Sequence, residues 1–555
     1  MNVAEAVGMA LARLGVEQVF GVVGSGNFHV TNALVAGGAS YVAARHEGGA
    51  TTMADAYARM TGSVAAVSLH QGCGLTNAMT GLAEAAKSRT PLLVLAAEST
   101  EPGSNFAVDQ PALAAAVGAR SARVTSPASA VDETVAAFLV ARDERATVLL
   151  NLPLAVQQLE VPDQVAAAVL GAAPLAADDP PPAPDPMTVD VEALAELLAG
   201  ARRPVVLAGR GARHARAELE VLAQAGGALL VTSAVAKGLF AGSPWSLDVC
   251  GGFATPLAAE LVADADLVAV FGCSLTMWTT KRGTLVGDRA AIAQVDLDPD
   301  AIGRRHPVTL GVVGDCAAVA RRVGGLLLGR ADAESGYRSP AVRDRIAVQG
   351  RWRDVPYDDW SGGTGEAARI DPRTLTVLLD DALPADRVVA VDSGNFMGYP
   401  SMFLSVPDER GFCFTQSFQS IGLGLATAIG AALADPGRLT VAALGDGGAL
   451  MAAAELDTVR RLGLPMVVVV YNDSAYGAEV HHFTDGEPLG SVVFPQTDIA
   501  GIGAGYGFDT VTVRAPGDVA AVRDWVAGPR DHPLLVDAKV AAERGSWWLE
   551  EAFGH

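Results

Sequence analysis

The 555-residue chain has few cysteines, few aromatic residues and no hydrophobic run long enough to cross a membrane. Its five cysteines are dispersed, odd in number and without a C-x-x-C pair, which argues against a disulfide framework and against a zinc site. Basic residues are also few: the chain has 40 Lys and Arg but 62 Asp and Glu, which gives a formal net charge of -22. Such a surface repels phosphate backbones and anionic lipids, so we expect neither nucleic acid nor a membrane among the partners.

The first twenty residues lack the basic leader of a signal peptide, and Glu5, Arg13 and Glu17 interrupt their apolar positions. The apolar residues recur at helical spacing, which predicts an amphipathic helix that leads into a strand. Together with the unpaired cysteines, this pattern favours a cytoplasmic protein.

Short apolar runs alternate with helical stretches along the chain, which is typical of parallel α/β units. We predict three doubly wound α/β domains with mainly parallel sheets over residues 1–170, 187–330 and 366–555. A Pro- and Asp-rich linker from Pro174 to Pro186 separates the first two. One strand is expected just before Glu47, and twelve apolar runs are predicted as strands: 16–23, 63–69, 90–98, 146–153, 203–209, 227–233, 267–272, 291–299, 387–395, 439–448, 465–473 and 533–540.

The most specific motif lies in the third domain, where one strand runs into Gly445-Asp446-Gly447-Gly448 and the next ends at Asp473. A glycine-rich turn at the end of a strand lets backbone N–H groups approach a diphosphate closely. Asp446 and Asp473 then add oxygen ligands which, with phosphate oxygens and a backbone carbonyl, suit Mg²⁺. The alternative is an ordinary glycine turn; a Walker A loop is excluded because no G-x-x-x-x-G-K-[ST] occurs.

A second motif lies in the first domain, where Glu47 begins a helix after a strand and is followed by Gly48 and Gly49. Taken alone, Glu47 is explained as a helix N-terminal carboxylate that the helix dipole stabilises. The segment reads RHE-x-x-A-x-x-M-A-x-x-Y-A-R, and Asp473 follows Asp446 by 27 positions in a GDG…N-D pattern. Together these motifs resemble those of the thiamine-diphosphate-dependent family of acetolactate synthase, pyruvate oxidase, benzoylformate decarboxylase and benzaldehyde lyase.

The resemblance covers essentially the whole chain, in the order pyrimidine-binding (PYR), central and diphosphate-binding (PP) domain. It includes FGVVGSGN at 20–27, LHQGCGLTNAMTGLAEA at 69–85, DSGN at 392–395 and FQSIGLGLATAIGAALA at 418–434. It implies an enzyme dependent on thiamine diphosphate and Mg²⁺ that decarboxylates or cleaves a 2-oxo acid through an enamine intermediate. The product is then a released aldehyde, or an acyl unit transferred to an aldehyde or 2-oxo acid acceptor (lyase or carboligase).

Two alternatives to this activity are open. The first is an acetolactate-synthase-like transferase that joins two 2-oxo acids. The second is a regulatory relic without chemistry, against which the intact Glu47, Asp446 and Asp473 argue. The central domain shows no feature that demands FAD, and its segment Gly209–His214 fails the G-x-G-x-x-G pattern at the last position, so we do not expect FAD.

The resemblance also assigns residues to the cofactor and to the assembly. Glu47 would bond the pyrimidine N1′, the Gln419 carbonyl would accept from the 4′-amino group, and Ile421 would support the bent cofactor. Mg²⁺ would be held by Asp446, Asp473 and the carbonyl of Ala475. Relatives form homodimers or homotetramers in which the residue matching Glu47 meets the partner's diphosphate-binding domain. Further cofactor contacts are implied at Gly394, Asn395, Gly445, Gly447, Gly448 and Tyr476.

Three further residues match substrate-side positions of the family. Ser25 and His70 stand where benzoylformate decarboxylase carries a carboxylate-binding Ser and an acid/base His, and Glu479 matches the catalytic Glu of pyruvate decarboxylases. A hydroxyl, an imidazole that titrates near neutrality and a carboxylic acid suit substrate binding and proton relay. A lone His at a strand end is also often structural, so both interpretations stay open for His70. The active-site Gln of acetolactate synthases has only Asn105 or Gln110 as a substitute here.

Overall fold

The structure, a computed structural model, describes residues 1–171, 184–287, 289–328, 336–483, 486–542 and 545–549. These residues form three six-stranded sheets in which every pair of neighbouring strands is parallel. The prediction of three parallel α/β domains is therefore confirmed. Residues 174–183 of the predicted linker and the predicted ends of the second and third domains lie outside the described residues, and the domain bounds stay a prediction.

The first domain begins with the predicted helix, whose amino end Asn2 and Glu5 cap reciprocally. Its helices are α1 (Val3–Arg13), α2 (Phe28–Ala36), α3 (Glu47–Thr61), α4 (Cys73–Lys87), α5 (Gln110–Ala116), α6 (Ala130–Asp143), α7 (Leu154–Gln157) and α8 (Asp163–Leu170). Its strands are β1 (Gln18–Gly21), β2 (Ser40–Ala43), β3 (Ala65–Leu69), β4 (Leu92–Glu98), β5 (Arg120–Arg123) and β6 (Thr147–Pro153). The strand order is β2-β1-β3-β4-β6-β5, so the winding reverses between β1 and β3.

The second domain has the strand order β12-β11-β10-β7-β8-β9, with the reversal between β7 and β10. These strands are β7 (Pro204–Ala208), β8 (Leu229–Thr232), β9 (Ser246–Val249), β10 (Leu267–Phe271), β11 (Ala291–Asp296) and β12 (Leu310–Val313). The helices are α9 (Thr188–Gly200), α10 (Arg216–Ala225), α11 (Pro256–Ala263), α12 (Met277–Thr280) and α13 (Cys316–Leu328), and α14 (Pro340–Gln349) packs on them through Ile346.

The glycines of the segment after β7 serve backbone packing. A Cβ at Gly209 would lie 2.3 Å from the carbonyl oxygen of Gly272, and one at Gly211 would lie 3.0 Å from the Gly272 Cα. The segment forms a 3-10 helix, and its Arg210 and Arg213 donate to backbone carbonyls of the first and third domains. The segment therefore connects the second domain to the first and third domains. Its incomplete match to the G-x-G-x-x-G pattern did not predict this role.

The third domain repeats the winding of the first, with the order β14-β13-β15-β16-β18-β17 and a reversal between β13 and β15. Its strands are β13 (Arg387–Val391), β14 (Phe412–Phe414), β15 (Leu439–Gly445), β16 (Met466–Asn472), β17 (Asp509–Val513) and β18 (Leu534–Lys539). Its helices are α15 (Pro372–Ala382), α16 (Gly398–Phe403), α17 (Gly424–Ala434), α18 (Asp446–Met451), α19 (Leu456–Arg461), α20 (Gly477–His482), α21 (Ile499–Gly505) and α22 (Ala520–Ala527).

The first and third domains share a core where α3 packs along α17. Met53 of α3 and Ile429 of α17 are fully buried there, and burial of such side chains contributes about 1.5–3 kcal/mol each. Gly430 allows the close approach, because a Cβ at this position would lie 2.2 Å from the carbonyl oxygen of Met53. The helix that begins at Glu47 is thus seated on the third domain.

Every predicted strand is present, and the structure adds β5, β9, β12, β14 and β17. Each of these five strands lies at an edge of its sheet. In the described part of the chain, no helix is both long and apolar enough to span a bilayer.

Candidate active site

Several predicted site residues follow the strands between which the winding reverses, at the carboxyl ends of two sheets, whereas Glu47 follows β2 and Asp473 follows β16. In the first sheet, the loop with Ser25 follows β1 and His70 follows β3. In the third sheet, Gly394 follows β13 and the Gly445–Gly448 turn follows β15. Open α/β sheets bind ligands at such points because the diverging connections leave a crevice there.

Glycines at the end of the third sheet bring backbone and side chains unusually close. A Cβ at Gly447 would lie 2.6 Å from the Tyr476 ring, and one at Gly448 would lie 2.2 Å from Oδ2 of Asp392. Gly394 adopts a φ of +134°, in the region that side chains rarely tolerate. The glycines therefore let the Tyr476 ring and the Asp392 carboxylate pack directly against the backbone of the turn.

The carboxyl groups of Asp446 and Asp473 lie within hydrogen-bonding distance of each other. Burial raises the pKa of both groups, and the nearness of Asp446 raises the pKa of Asp473 further. Two ionised carboxylates in such contact repel unless a cation lies between them, so the pair fits a divalent ion. In the described ranges, no group of three or more His, Cys, Asp or Glu side chains is placed so that it could hold a metal ion, so backbone and cofactor oxygens would complete the shell.

The turn after Asp473 is held by a second segment of the same domain. Ser474 adopts a left-handed φ of +59°, and its carbonyl accepts from the Phe494 N–H at 2.8 Å. Ala475 pairs with Val493 in an antiparallel bridge, and the rings of Tyr476 and Phe494 meet edge to face at 4.9 Å. The backbone of Ala475 is thus fixed two residues from Asp473.

A cavity of about 320 Å³ opens beside these groups. The residues that line it all belong to the third domain: Asp446, Gly447, Leu450, Met451, Tyr476, Phe494, Pro495 and Thr497.

Glu47 is the first residue of α3, and the side chain of His46 caps that helix. Asn77 donates to Oε2 of Glu47 at 3.0 Å. A Cβ at Gly74 would lie 3.5 Å from Oε1 of Glu47 and 3.3 Å from the Cβ of His70. The bare Gly74 therefore separates Glu47 from His70, and the structure brings these two predicted residues together.

His70 also contacts the loop that carries Ser25. The Gly26 N–H donates to Nδ1 of His70 at 3.3 Å, so the neutral imidazole carries its proton on Nε2. A Cβ at Gly24 would lie 2.8 Å from the His70 ring, and Phe106 meets that ring edge to face at 5.4 Å. Ser25 is exposed between the two glycines, so Ser25, His70 and Glu47 share one face of the first domain.

Gln419 adopts a left-handed φ of +62° and Ile421 follows it on the surface of the third domain. Asp392, at the end of β13, accepts the N–H groups of Gly422 and Leu423 at 3.0 and 3.2 Å. Burial raises the pKa of Asp392 to about 6 although these N–H groups lower it. Asp392 stands in the DSGN segment, but sequence reasoning did not assign it this role.

Glu479 lies in the first turn of α20 and is exposed. It does not line the cavity itself, but its N–H donates at 3.0 Å to the carbonyl of Tyr476, which does. Gln110 is buried, with its amide nitrogen donating to Asn151 at 2.9 Å and its oxygen accepting from the Gly72 N–H at 3.4 Å. Gln110 is thus engaged within the first domain, whereas Asn105 is exposed.

The sequence analysis did not predict two residues that contact the site from distant parts of the chain, Glu455 and Ser546. Buried Glu455 accepts the backbone N–H groups of Arg45 and His46 at 3.0 Å each, at the entry to α3. Ser546 donates to the side-chain oxygen of Asn395 at 2.5 Å. No sequence pattern indicates such pairs, whereas Asn77 stands within the motif at 69–85.

Fold and site together define a three-domain α/β protein with a carboxylate and an imidazole on one domain and a glycine-lined pair of carboxylates on another. Three family profiles match this chain in order. They are described as the "Thiamine pyrophosphate enzyme" N-terminal TPP binding domain over residues 1–116, central domain over 191–323 and C-terminal TPP binding domain over 392–538.

Individual proteins agree with the profiles. The probable 2-ketoarginine decarboxylase AruI of Pseudomonas aeruginosa is 31% identical over 95% of this chain and 92% of its own length. A sulfoacetaldehyde acetyltransferase of Rhodobacter capsulatus is 29% identical over 100% and 96%. The chain belongs to the thiamine diphosphate (thiamine pyrophosphate) enzyme family, as the sequence motifs predicted. A solved thiamine diphosphate-dependent 4-hydroxybenzoylformate decarboxylase of Rhodococcus jostii RHA1 shares the fold, with a TM-score of 0.77 and 22% identity over 98% of this chain and 100% of that one.

Proposed function

We propose that the protein is a thiamine diphosphate- and Mg²⁺-dependent enzyme that decarboxylates or cleaves a 2-oxo acid and releases an aldehyde or transfers the acyl unit to an acceptor. The observation that carries the proposal is the facing pair Asp446 and Asp473 beside bare glycine backbone. The names of the relatives, a decarboxylase and an acetyltransferase, are compatible with both outcomes. An acetolactate-synthase-like transferase that joins two 2-oxo acids is the alternative, because it shares the first half-reaction.

The PP domain would hold the diphosphate end of the cofactor. Asp446, Asp473 and the carbonyl of Ala475 would ligate Mg²⁺, and the Tyr476 side chain would line the cofactor site. Bound thiamine diphosphate supplies an acidic carbon that adds to a substrate carbonyl and stores the electron pair left by CO₂. The diphosphate itself would lie against Gly394, Asn395, Gly445, Gly447 and Gly448.

Glu47 would hold the pyrimidine ring and keep a proton at N1′, with Asn77 fixing its carboxylate. The Gln419 carbonyl would accept from the amino group, and Ile421 would support the ring. We place Ser25 at the substrate carboxylate and His70 at proton transfer through Nε2, because Nδ1 of His70 accepts from Gly26. Glu479 would relay protons from α20.

The proposal is tested by product analysis with a panel of 2-oxo acids: pyruvate, a branched aliphatic acid, an aryl acid and a basic acid. We expect at least one member to release CO₂ only when thiamine diphosphate and Mg²⁺ are both present. Aldehyde equal to CO₂ identifies the lyase outcome, whereas an aldehyde deficit matched by a carboligated product identifies the transferase. Cofactor-dependent CO₂ from none of them, in protein shown to bind the cofactor, contradicts the proposal.

We further place the protein in the cytoplasm. Its five cysteines are free thiols and four of them are buried, which suits a reducing compartment.

We also propose a homodimer, or a homotetramer of such dimers, in which Glu47 of one chain faces Asp446 of its partner. The cavity beside Asp446 is lined by the third domain alone, and apolar side chains are exposed near both half-sites. Phe28 and Phe106 are 50% and 42% exposed on the first domain, and Met451 is 59% exposed on the third. Exposed apolar side chains grouped around a site are typical of an interface.

A hybrid dimer tests this arrangement. One chain carries Glu47→Gln, the other Asp446→Ala, and different affinity tags allow isolation of the hybrid alone. If each site uses both chains, one of the two sites is intact, and we expect about half of the wild-type activity. If each site lies within one chain, the hybrid has no intact site and stays inactive, which contradicts the proposal. Homodimers of each variant serve as controls.

A further inference from the structure

The segment Gln419–Ile421, which would contact the cofactor, lies between two points that buried carboxylates hold. At its carboxyl-terminal side Asp392 accepts the N–H groups of Gly422 and Leu423. At its amino-terminal side the anchoring carboxylate belongs to Glu84, from a different domain.

Glu84 lies on α4 of the first domain and is completely buried. Its Oε1 accepts the backbone N–H of Ser417 at 3.0 Å, and its Oε2 accepts that of Phe418 at 2.6 Å. Both carboxylate oxygens are thus used on two successive N–H groups, which fixes the plane of the backbone immediately before Gln419. Hydrogen bonds to an ionised acceptor are about twice as strong as neutral ones.

Arg59 keeps Glu84 ionised. Burial alone would raise the pKa of Glu84, but the Arg59 guanidinium and the two N–H groups lower it. Arg59 donates to Oε1 of Glu84 at 2.7 Å and to Oδ2 of Asp55 at 2.6 Å, and its other end donates to the carbonyl of Phe414 at 3.0 Å. The same ion cluster therefore holds the segment at Phe414 as well as at Ser417 and Phe418.

The central domain joins the cluster through the segment after β7. Arg210 donates to the carbonyl of Ser88, and the Ser88 hydroxyl lies 2.7 Å from that of Ser417. Arg213 donates to the carbonyl of Phe412 at 2.9 Å. All three domains thus meet on the strand and loop that lead to Gln419.

These contacts explain how Gln419 retains its left-handed conformation. A residue other than glycine is strained at the φ of +62° that Gln419 adopts, and such a conformation persists only where the surrounding structure enforces it. With Glu84 before it and Asp392 after it, the three-residue segment has little freedom to relax.

We propose that Glu84 is a positioning residue that holds Gln419 and Ile421 in their cofactor-binding conformation before the cofactor arrives. The proposal rests on the proposed function in one respect, the assignment of Gln419 and Ile421 to the cofactor. A preformed segment lowers the ordering cost of binding, so loss of Glu84 should loosen the segment and weaken cofactor affinity.

The test compares Glu84→Gln with Asp380→Asn, a matched control. Asp380 is also a buried carboxylate that pairs with an arginine, Arg387, and accepts a backbone N–H, that of Ser405 at 2.8 Å. In protein without cofactor, we expect Glu84→Gln to speed amide hydrogen exchange at 417–421 by about tenfold or more, since the amide has one acceptor oxygen and one of the two backbone N–H donors loses its acceptor. The control should leave exchange in this segment unchanged even if it lowers the melting temperature.

Calorimetry then gives the dissociation constant of thiamine diphosphate, which should rise about tenfold in Glu84→Gln and stay unchanged in Asp380→Asn. Glu84→Asp, which keeps the charge on a shorter side chain, should give intermediate values, and it decides the question if Glu84→Gln does not fold. Wild-type exchange and affinity in these variants would overturn the positioning role. A wild-type protein that binds no thiamine diphosphate refutes the proposed function instead, and the exchange data then still decide whether Glu84 holds the segment.

Discussion

Glu47→Gln should leave the affinity for thiamine diphosphate within a few-fold of wild type and slow proton exchange at C2 of the bound cofactor by about 10²–10⁴-fold. The amide has the shape of the carboxylate and keeps an oxygen for the Asn77 donor. It cannot hold and return the proton at N1′ on which the activation of C2 depends. Rapid-quench hydrogen–deuterium exchange of the bound cofactor, followed by NMR, measures the rate.

Glu133→Gln is the matched control for this experiment. Glu133 also lies in the first turn of a first-domain helix, α6, and accepts from Thr125 at 2.8 Å. If Glu47 served only as a helix N-terminal carboxylate, both variants would lose a similar small amount of stability and neither would change C2 exchange. Wild-type exchange in Glu47→Gln would therefore refute the assigned role.

Asp446→Ala, or removal of Mg²⁺ with EDTA, should weaken thiamine diphosphate binding by at least about a hundredfold. A diphosphate placed beside the Asp446–Asp473 pair meets like charges in a poorly solvated site, and only a divalent cation between them turns repulsion into ligation. Titration calorimetry measures the affinity for thiamine diphosphate under three conditions: with Mg²⁺, after treatment with EDTA, and after Mg²⁺ has been restored.

Asp518→Ala is the control, because this exposed third-domain carboxylate accepts the N–H groups of Arg514 and Ala515 away from the site. The Asp518→Ala variant should bind the cofactor with the affinity of the wild-type protein. Thermal unfolding of each variant without cofactor shows whether Asp446→Ala is folded. Unchanged affinity in metal-free wild-type protein would contradict the metal assignment.

Apolar runs in the sequence predicted the interior strands of the sheets but missed most of the edge strands. The runs at 65–69, 204–208 and 466–472 are interior strands, buried on both faces, and therefore appear as continuous apolar stretches. Two edge strands, RSAR at 120–123 and DTVTV at 509–513, are largely exposed and mix polar with apolar residues. The edge strand Phe412–Phe414 is buried but only three residues long. The strand before Glu47 is also an edge strand and was predicted only because a motif follows it.

The candidate site divides in a similar way. Asp446 and Asp473 could be paired from the sequence because successive parallel strands place their carboxyl ends side by side. Glu47 could be assigned only by resemblance, since its local pattern is also that of a helix start. Gln110 shows the opposite case, because only the structure reveals that its amide is bonded to Asn151 and Gly72.

By itself, the sequence determined the class of fold, the interior strands, the glycine turn with its two carboxylates and the family. These features are local, since strand periodicity, turn chemistry and motif spacing are written within a few dozen residues. The tertiary structure alone decided that Glu455 holds the entry to α3 and that Glu84 and Asp392 hold the segment between them. Glu84 and Glu455 act on backbone N–H groups more than three hundred residues away, and a main-chain donor looks the same at every residue, so no side-chain pattern announces such pairs.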